Sequence, residues 1–250
     1  MAGHSKWANI KHRKGAQDKK RGKLFTKALK EITVAIKENN NNGDPESNPA
    51  LRNAIANAKG INLPKDNIDR AIKKATGGDG ENYSHISFEG YGPHGIAFFV
   101  ECTTDNTNRT VANIRAIFNK YGGSLGTNGS LEFLFERNGV FTIERSAIEM
   151  EMDDLQLELI EAGAASFEEE DDLFIIYSEF TEFGNMSTKL EELGIEVQNA
   201  EVRRIPHETK EVGAEDAKGL LKMIDAFEDD DDVQHVFHNL ELTDEILAVL

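Results

Sequence analysis

Residues 77–82 read GGDGEN, and the periodicity of the chain changes across them. Glycine-rich polar stretches break regular structure, so this one reads as a linker. Before it, apolar residues recur every three or four positions, the spacing of one helix face. After it, short runs of alternating or continuous apolar residues are interleaved with helical patterns. The spacing predicts a helical front followed by a mixed α+β remainder.

Working back from the linker, KLFTKALKEITVAIK (23–37) places Phe25, Leu29, Ile32 and Ile36 on one helical stripe. Lys19, Lys23, Lys27, Lys30 and Lys37 fall roughly opposite, as a lysine row. Arg21 falls nearer the apolar side, so the helix either begins after it or splays there. ENNNNGDPESNP (38–49) is a polar turn region. Asn48-Pro49 reads as an N-cap followed by proline at the first helical position. Leu51 and Ile55 mark a second helix ending near Gly60. Pro64 opens a third, with Ile68, Ala71 and Ile72 inward, ending at Gly77-Gly78.

Working forward, HISFEG (85–90) and GIAFFVEC (95–102) read as strands, the second a nearly continuous apolar run suited to a buried position. NRTVANIRAIFNKYGG (108–123) is an amphipathic helix. SLEFLFE (130–136) and GVFTIE (139–144) read as two strands turning at Asn138-Gly139, a favoured hairpin dipeptide. The helix DDLQLELIEAG (153–163) follows, then two strands around the acidic turn of FEEEDDLFIIYSE (167–179). STKLEELG (187–194) is a helix, IEVQNAEVRRIP (195–206) a strand, AEDAKGLLKMIDAFEDD (214–230) the last long helix and DVQHVFHNLEL (232–242) the last strand. Residues 133–208 thus hold the ferredoxin-like order strand–helix–strand–strand–helix–strand. The final helix and strand are left over, and they are expected to complete the sheet begun at 85–102. The expected domains are 1–78, basic and helical; 79–132 plus 209–250, a discontinuous α+β domain; and 133–208, inserted into it.

The charge is as divided as the periodicity. Residues 1–37 carry 11 Lys and Arg against Asp18 and Glu31, a net +9, whereas the rest of the chain holds a net −26. Clustered lysine and arginine bind the nucleic-acid polyanion by displacing its condensed counterions. Lys6, Trp7, Lys11, His12, Arg13, Lys14, Lys19, Lys20, Arg21, Lys23 and Lys27 are therefore the candidate nucleic-acid-binding residues. The basic groups would hold phosphates, and Trp7 would stack on a base or anchor the segment. The bland alternative is a solubilising basic face. Lys59, Lys65, Arg70, Lys73 and Lys74 form a possible secondary basic patch, each also an ordinary helix charge.

Other chemistry finds little support. No apolar stretch approaches the ~20 residues of a membrane span. MAGHSKWANIKHRKG (1–15) lacks the apolar core of a secretory signal. A single cysteine, Cys102, forms no intrachain disulfide and suits a reducing cytoplasm, and its apolar strand makes it a packing residue. Gly90-Tyr91-Gly92-Pro93-His94-Gly95 matches G-x-G-x-x-G, but a strand follows where a dinucleotide site needs a helix, so a β-turn is expected. YGGSLGTNGS (121–130) lacks the ending of a phosphate loop and reads as a helix exit. His235 and His238 sit three apart in a strand, on opposite faces, which disfavours a shared metal. The acidic run Glu228 to Asp232 reads as a solvated helix end or an exposed surface for a basic partner. No catalytic residue and no metal ligand is nominated.

MAGHSKWANIKHRKGAQDKKRGKLFTKALKEI (1–32) closely resembles the opening of the YebC/PmpR family of probable transcriptional regulatory proteins. That family has an organellar branch of translational activators of cytochrome oxidase. The resemblance continues through residues 48–78, FEGYGPHG (88–95), 101–130 and DDDDVQHVFHNLEL (229–242). It implies three domains, an N-terminal helical domain followed by two α+β domains of ferredoxin-like type, one inserted into the other. It also implies no catalytic activity and no cofactor. The start at MAGHSKW resembles the bacterial, cytoplasmic form. Two roles are implied: DNA-binding regulation of transcription, or action on the ribosome that helps synthesis of proline-rich stretches. In the second, the basic segment would contact ribosomal or transfer RNA.

The basic groups in 1–37 are nine lysines and two arginines. Lysine binds phosphate as a point charge, whereas bidentate reading of guanine favours arginine. Phosphate-dominated, salt-sensitive binding is expected, which suits RNA as well as DNA. A protein-interaction module, its acidic domains docking a basic protein, is the remaining alternative.

Overall fold

The change of periodicity at the linker is a change of architecture, from packed helices to two antiparallel sheets. In the computed structural model the described residues are 18–77, 82–170 and 172–247. Three helices precede the linker: α1 (Asp18–Glu38), α2 (Pro49–Gly60) and α3 (Lys65–Thr76). Helix α1 is continuous through Arg21, whose guanidinium lies over the Phe25 ring 5.3 Å from its centroid. The helix therefore neither starts after Arg21 nor splays there. Lys30, expected in the solvated lysine row, is instead buried.

Asn48 performs the capping predicted for it. Its side chain accepts the Leu51 N–H at 3.1 Å and donates to the carbonyls of Ala35 and Asn42, both at 2.9 Å. One buried amide thus closes the start of α2 and ties it to α1.

The elements after the linker are β1 (Ser84–Tyr91), β2 (Ala97–Thr104), α4 (Thr107–Lys120), β3 (Ser124–Leu125), β4 (Phe135–Glu144), α5 (Met152–Glu161), β5 (Ala164–Glu170), β6 (Leu173–Glu179), α6 (Phe183–Glu192), β7 (Val197–Pro206), α7 (Ala214–Glu228), β8 (Val233–His238) and α8 (Asp244–Leu247). The fold is α+β, and the chain divides into two compact units.

The first unit draws on Met1–Lys27, Asn82–Glu136 and Arg204–Leu250. Its sheet has the order β3-β1-β2-β8, so the last strand lies beside β2. Strand β2 is apolar almost throughout because both of its faces are covered. Phe98, Val100 and Cys102 pack with residues of α4 and α7, while Ala97 and Phe99 join Leu131, Phe135 and Phe237. The rings of Phe118 and Phe227 meet at 5.0 Å, with Phe98 and Phe227 at 5.9 Å. Burying each such ring contributes about 1.5–3 kcal/mol. The carboxylate of buried Glu89 accepts the N–H groups of Gly129 and Leu131, ordering the loop they belong to.

The second unit comprises Ala28–Glu81 and Arg137–Arg203. Its sheet order, β5-β6-β4-β7, is the ferredoxin-like arrangement expected from the element order. Helices α5 and α6 supply Leu155, Leu159, Met186 and Leu190 to a core with Phe141, Ile143, Phe174 and Ile176. Strand β7 is an edge, and Asn57 of α2 covers it like a further strand. Its side chain donates to the Ala200 carbonyl at 3.0 Å and accepts the Ala200 N–H at 2.8 Å. Gly60 permits this approach, since a Cβ there would lie 2.1 Å from the Gln198 carbonyl oxygen.

One expected hairpin is absent. Asn138 and Gly139 lie within the single strand β4, paired with Glu179 and Ser178 of β6. A Cβ on Gly139 would meet Ser178 Oγ at 2.4 Å and the Phe183 ring at 2.8 Å. The glycine serves close packing, not a turn. The stretch before it, Glu132–Leu134, is a single 3-10 turn rather than strand.

Candidate nucleic-acid interface

The basic candidates divide sharply by setting. Lys6, Trp7, Lys11, His12, Arg13 and Lys14 lie outside the described residues, as do the side chains of Lys19 and Lys20. Three of the set are described. Arg21 is exposed on the first turns of α1. Lys23 and Lys27, one turn apart, reach the C-terminal end of α7. The Lys23 ammonium donates to Asp229 Oδ1 at 2.8 Å and to the Asp229 carbonyl at 2.6 Å. Lys27 donates to the Glu228 carbonyl at 3.1 Å. The last carbonyls of a helix lack partners within it and form the negative end of its dipole. Two lysines at that point offset the repulsion that the dipole exerts on Glu228 and Asp229.

The acidic run is therefore not a freely solvated helix end, which corrects the expectation from sequence. Asp230 accepts from the Asn113 amide at 3.0 Å. Asp232 is buried and receives the Arg109 guanidinium at 2.7 Å and the Thr110 hydroxyl at 2.9 Å. Hydrogen bonding to Asp232, and then to Asp105, raises Arg109 above the ordinary guanidinium value. The Thr104 hydroxyl, 2.8 Å from Thr110 Oγ1, donates to it and accepts the Asn106 N–H at 2.9 Å, and Asn106 caps α4 by accepting from the Arg109 N–H. Sequence reasoning missed this network. Asn106 carried a capping signal, but nothing local tied residues 104–110 to an aspartate more than a hundred positions later.

The secondary patch belongs to the second unit. Lys59, Lys65, Arg70, Lys73 and Lys74 are all exposed on α2 and α3. Arg70 bonds within its own helix, to the Asp66 carbonyl and to Asn67. Lys65, Lys73 and Lys74 have no side-chain partner among the described residues. Lys73 and Lys74 occupy the last turn of α3, where positive charge complements the dipole. Lys59 sits on the rim of a cleft of about 650 Å³ that also holds Arg52, Glu144, Glu191 and Gln198. Arg52 stands 3.7 Å from Glu191, so both signs of charge line the cleft.

The remaining motifs resolve structurally. Gly90 to Gly95 spans the end of β1 and the turn into β2, where His94 (φ 59°) and Gly95 (φ 70°) adopt left-handed conformations. The match to G-x-G-x-x-G is thus a reversal between antiparallel strands. His238 is buried beside Phe98, and His235 stacks on Phe237. Among the described residues no three His, Cys, Asp or Glu side chains gather as metal ligands would. Cys102 is buried in the core. No helix among the described residues is long and apolar enough to cross a membrane.

Comparison with known proteins places the chain among relatives. A family model described as the TACO1/YebC protein N-terminal domain matches residues 5–78, and one described as the TACO1/YebC second and third domain matches 83–240. A "probable transcriptional regulatory protein" of Bacillus subtilis (strain 168) is 52% identical over 240 residues, covering 96% of this chain and 99% of the relative. One of the same description from Amoebophilus asiaticus (strain 5a2) is 50% identical over 242 residues, covering 96% and 98%. The crystal structure of a conserved hypothetical protein from Aquifex aeolicus superposes with a TM-score of 0.82 at 40% identity, covering 96% of this chain and 98% of that one.

Proposed function

This chain belongs to the TACO1/YebC family, and on that premise we propose that it is a non-enzymatic, nucleic-acid-binding regulator of gene expression. The relatives bear the name "probable transcriptional regulatory protein". Charge polarity carries the proposal: a net +9 in residues 1–37 against −26 in the remainder. A polyanion is attracted to the first part and repelled by the rest, so it engages one end of the chain. The contacts are lysine ammonium to phosphate oxygen, with Trp7 available to stack on a base. Lys65, Lys73 and Lys74 supply a second, weaker set of phosphate contacts.

A second reading, a ribosome-associated translation factor contacting ribosomal or transfer RNA, is favoured by the same lysine excess. Nine lysines and two arginines bind backbone without reading bases in the DNA groove. Co-sedimentation with ribosomes and duplex-DNA binding over a salt series separate the two, using the whole chain and one lacking residues 1–23. Sequence-selective DNA binding that survives physiological salt supports the transcriptional role. Ribosome association lost on truncation, with only weak salt-sensitive DNA binding, supports the translational one. If neither polymer binds the whole chain, the proposal fails.

A further inference from the structure

We infer that the C-terminal end of α7 is an internal stand-in for nucleic-acid phosphate, holding Lys23 and Lys27 until a polyanion displaces it. This rests on the nucleic-acid reading above and adds an autoinhibitory contact to it. Lys23 takes two oxygens of one residue, Asp229 Oδ1 and the Asp229 carbonyl, as an ammonium takes two oxygens of one phosphate. Lys27, four positions on and so on the same side of α1, takes the Glu228 carbonyl. Carbonyls at a helix C-terminus together with a carboxylate offer clustered, negatively polarised acceptors, which is what a phosphodiester offers. Lysine binds either as a point charge and does not discriminate between them.

Two features make the contact a reversible competitor rather than a fixed brace. The Asp229 side chain is 64% exposed, so its pairing with Lys23 is weak and open to exchange. Its neighbours are held independently, Asp230 by Asn113 and Asp232 by Arg109 and Thr110. The acceptor end thus keeps its shape when the lysines leave. Nucleic acid must displace it to use Lys23 and Lys27, and the affinity of the whole chain is lowered accordingly.

The test compares the full chain with Asp229→Asn and with Glu215→Gln. The second removes the same unit of charge from the first turn of α7, where Glu215 is highly exposed and pairs only with Lys218 among the described residues. Affinities for a short single-stranded RNA and for a short duplex DNA are measured by fluorescence anisotropy at low salt, with thermal melting to confirm folding. Asp229→Asn is expected to bind about two- to fivefold tighter, with Glu215→Gln unchanged. Lys23→Ala is expected to cost more affinity in the Asp229→Asn background than alone. Equal affinity of Asp229→Asn and the parent, or an equal gain in Glu215→Gln, overturns the inference and leaves the nucleic-acid reading standing. Absence of binding by both parent and Asp229→Asn overturns that reading, and the inference with it.

Discussion

The start of α1 and the face of α3 look alike as sequence, each a helix dense in lysine, yet the fold treats them oppositely. Lys23 and Lys27 are engaged by the end of α7. Lys65, Lys73 and Lys74 are exposed and lack side-chain partners among the described residues. The difference lies in what each helix packs beside. The start of α1, up to Lys27, meets an acidic helix terminus of the same unit, and α3 presents its charges to solvent. Counting basic residues therefore overstates how much positive charge is available to a partner. In the helix with the greater excess, part of that charge is already spent.

The largest effect should come from neutralising most of the segment's positive charge. Neutralising Lys11, Arg13, Lys14, Lys19, Lys20 and Lys23 together is expected to weaken nucleic-acid binding by about three orders of magnitude at low salt, since each lost phosphate contact compounds. Circular dichroism should keep the helical signal of the parent. Full-strength binding by this folded variant would mean that the α3 face is the principal surface, reversing the comparison.

Much of the scaffold was legible because its signals are local. Asn48-Pro49 announced the start of α2, and the acidic turn after FEEE marked the reversal between β5 and β6, whose ends pair Glu170 with Leu173. The continuous apolar run of β2 announced a buried strand, and the structure covers it on both faces. What stayed hidden depends on partners distant in sequence. Asn138-Gly139 has turn chemistry, but the approach of Ser178 and Phe183 makes it strand. Lys30 follows the polar side of a helical wheel, yet neighbours brought in by folding bury it. The run from Glu228 to Asp232 has the composition of a solvated tail. Arg109, Thr110 and Lys23 convert it into bonded structure, and no spacing rule links them. The basic interface was legible as charge but not as availability.

The junction of α1 and α2 depends on a brace that can be weakened separately. Asn48→Ala removes the cap of α2 and leaves the carbonyls of Ala35 and Asn42 without this donor. It is expected to cost about 2 kcal/mol of stability in urea denaturation, with binding by the N-terminal segment unchanged. A smaller effect is expected from Lys65→Gln, Lys73→Gln and Lys74→Gln combined. Affinity should fall about three- to tenfold and the salt dependence should become shallower, with stability nearly constant. No change in the salt slope would show that these lysines merely solvate α3, leaving α1 and its flanking residues as the whole interface.

The smallest effect isolates a lysine intermediate between the two kinds. Lys189 of α6 pairs with Glu158 of α5, and the hydrogen bond to that carboxylate raises the ammonium above its ordinary value. A raised value means that the folded chain holds the proton more tightly than the unfolded one. The stabilisation is therefore complete below the ordinary lysine range and is lost as pH rises through the raised value. The group is near solvent, so the gain is small at neutral pH. Glu158→Gln should return Lys189 to the ordinary range in an NMR titration of its side chain and remove this component of alkaline destabilisation. A titration of Lys189 that is unmoved by Glu158→Gln would show that the pairing is not maintained in solution, and that exposed carboxylates are poor holders of lysine in this chain. Asp229 would then restrain Lys23 less than its geometry implies, and the contrast between the two helices would narrow.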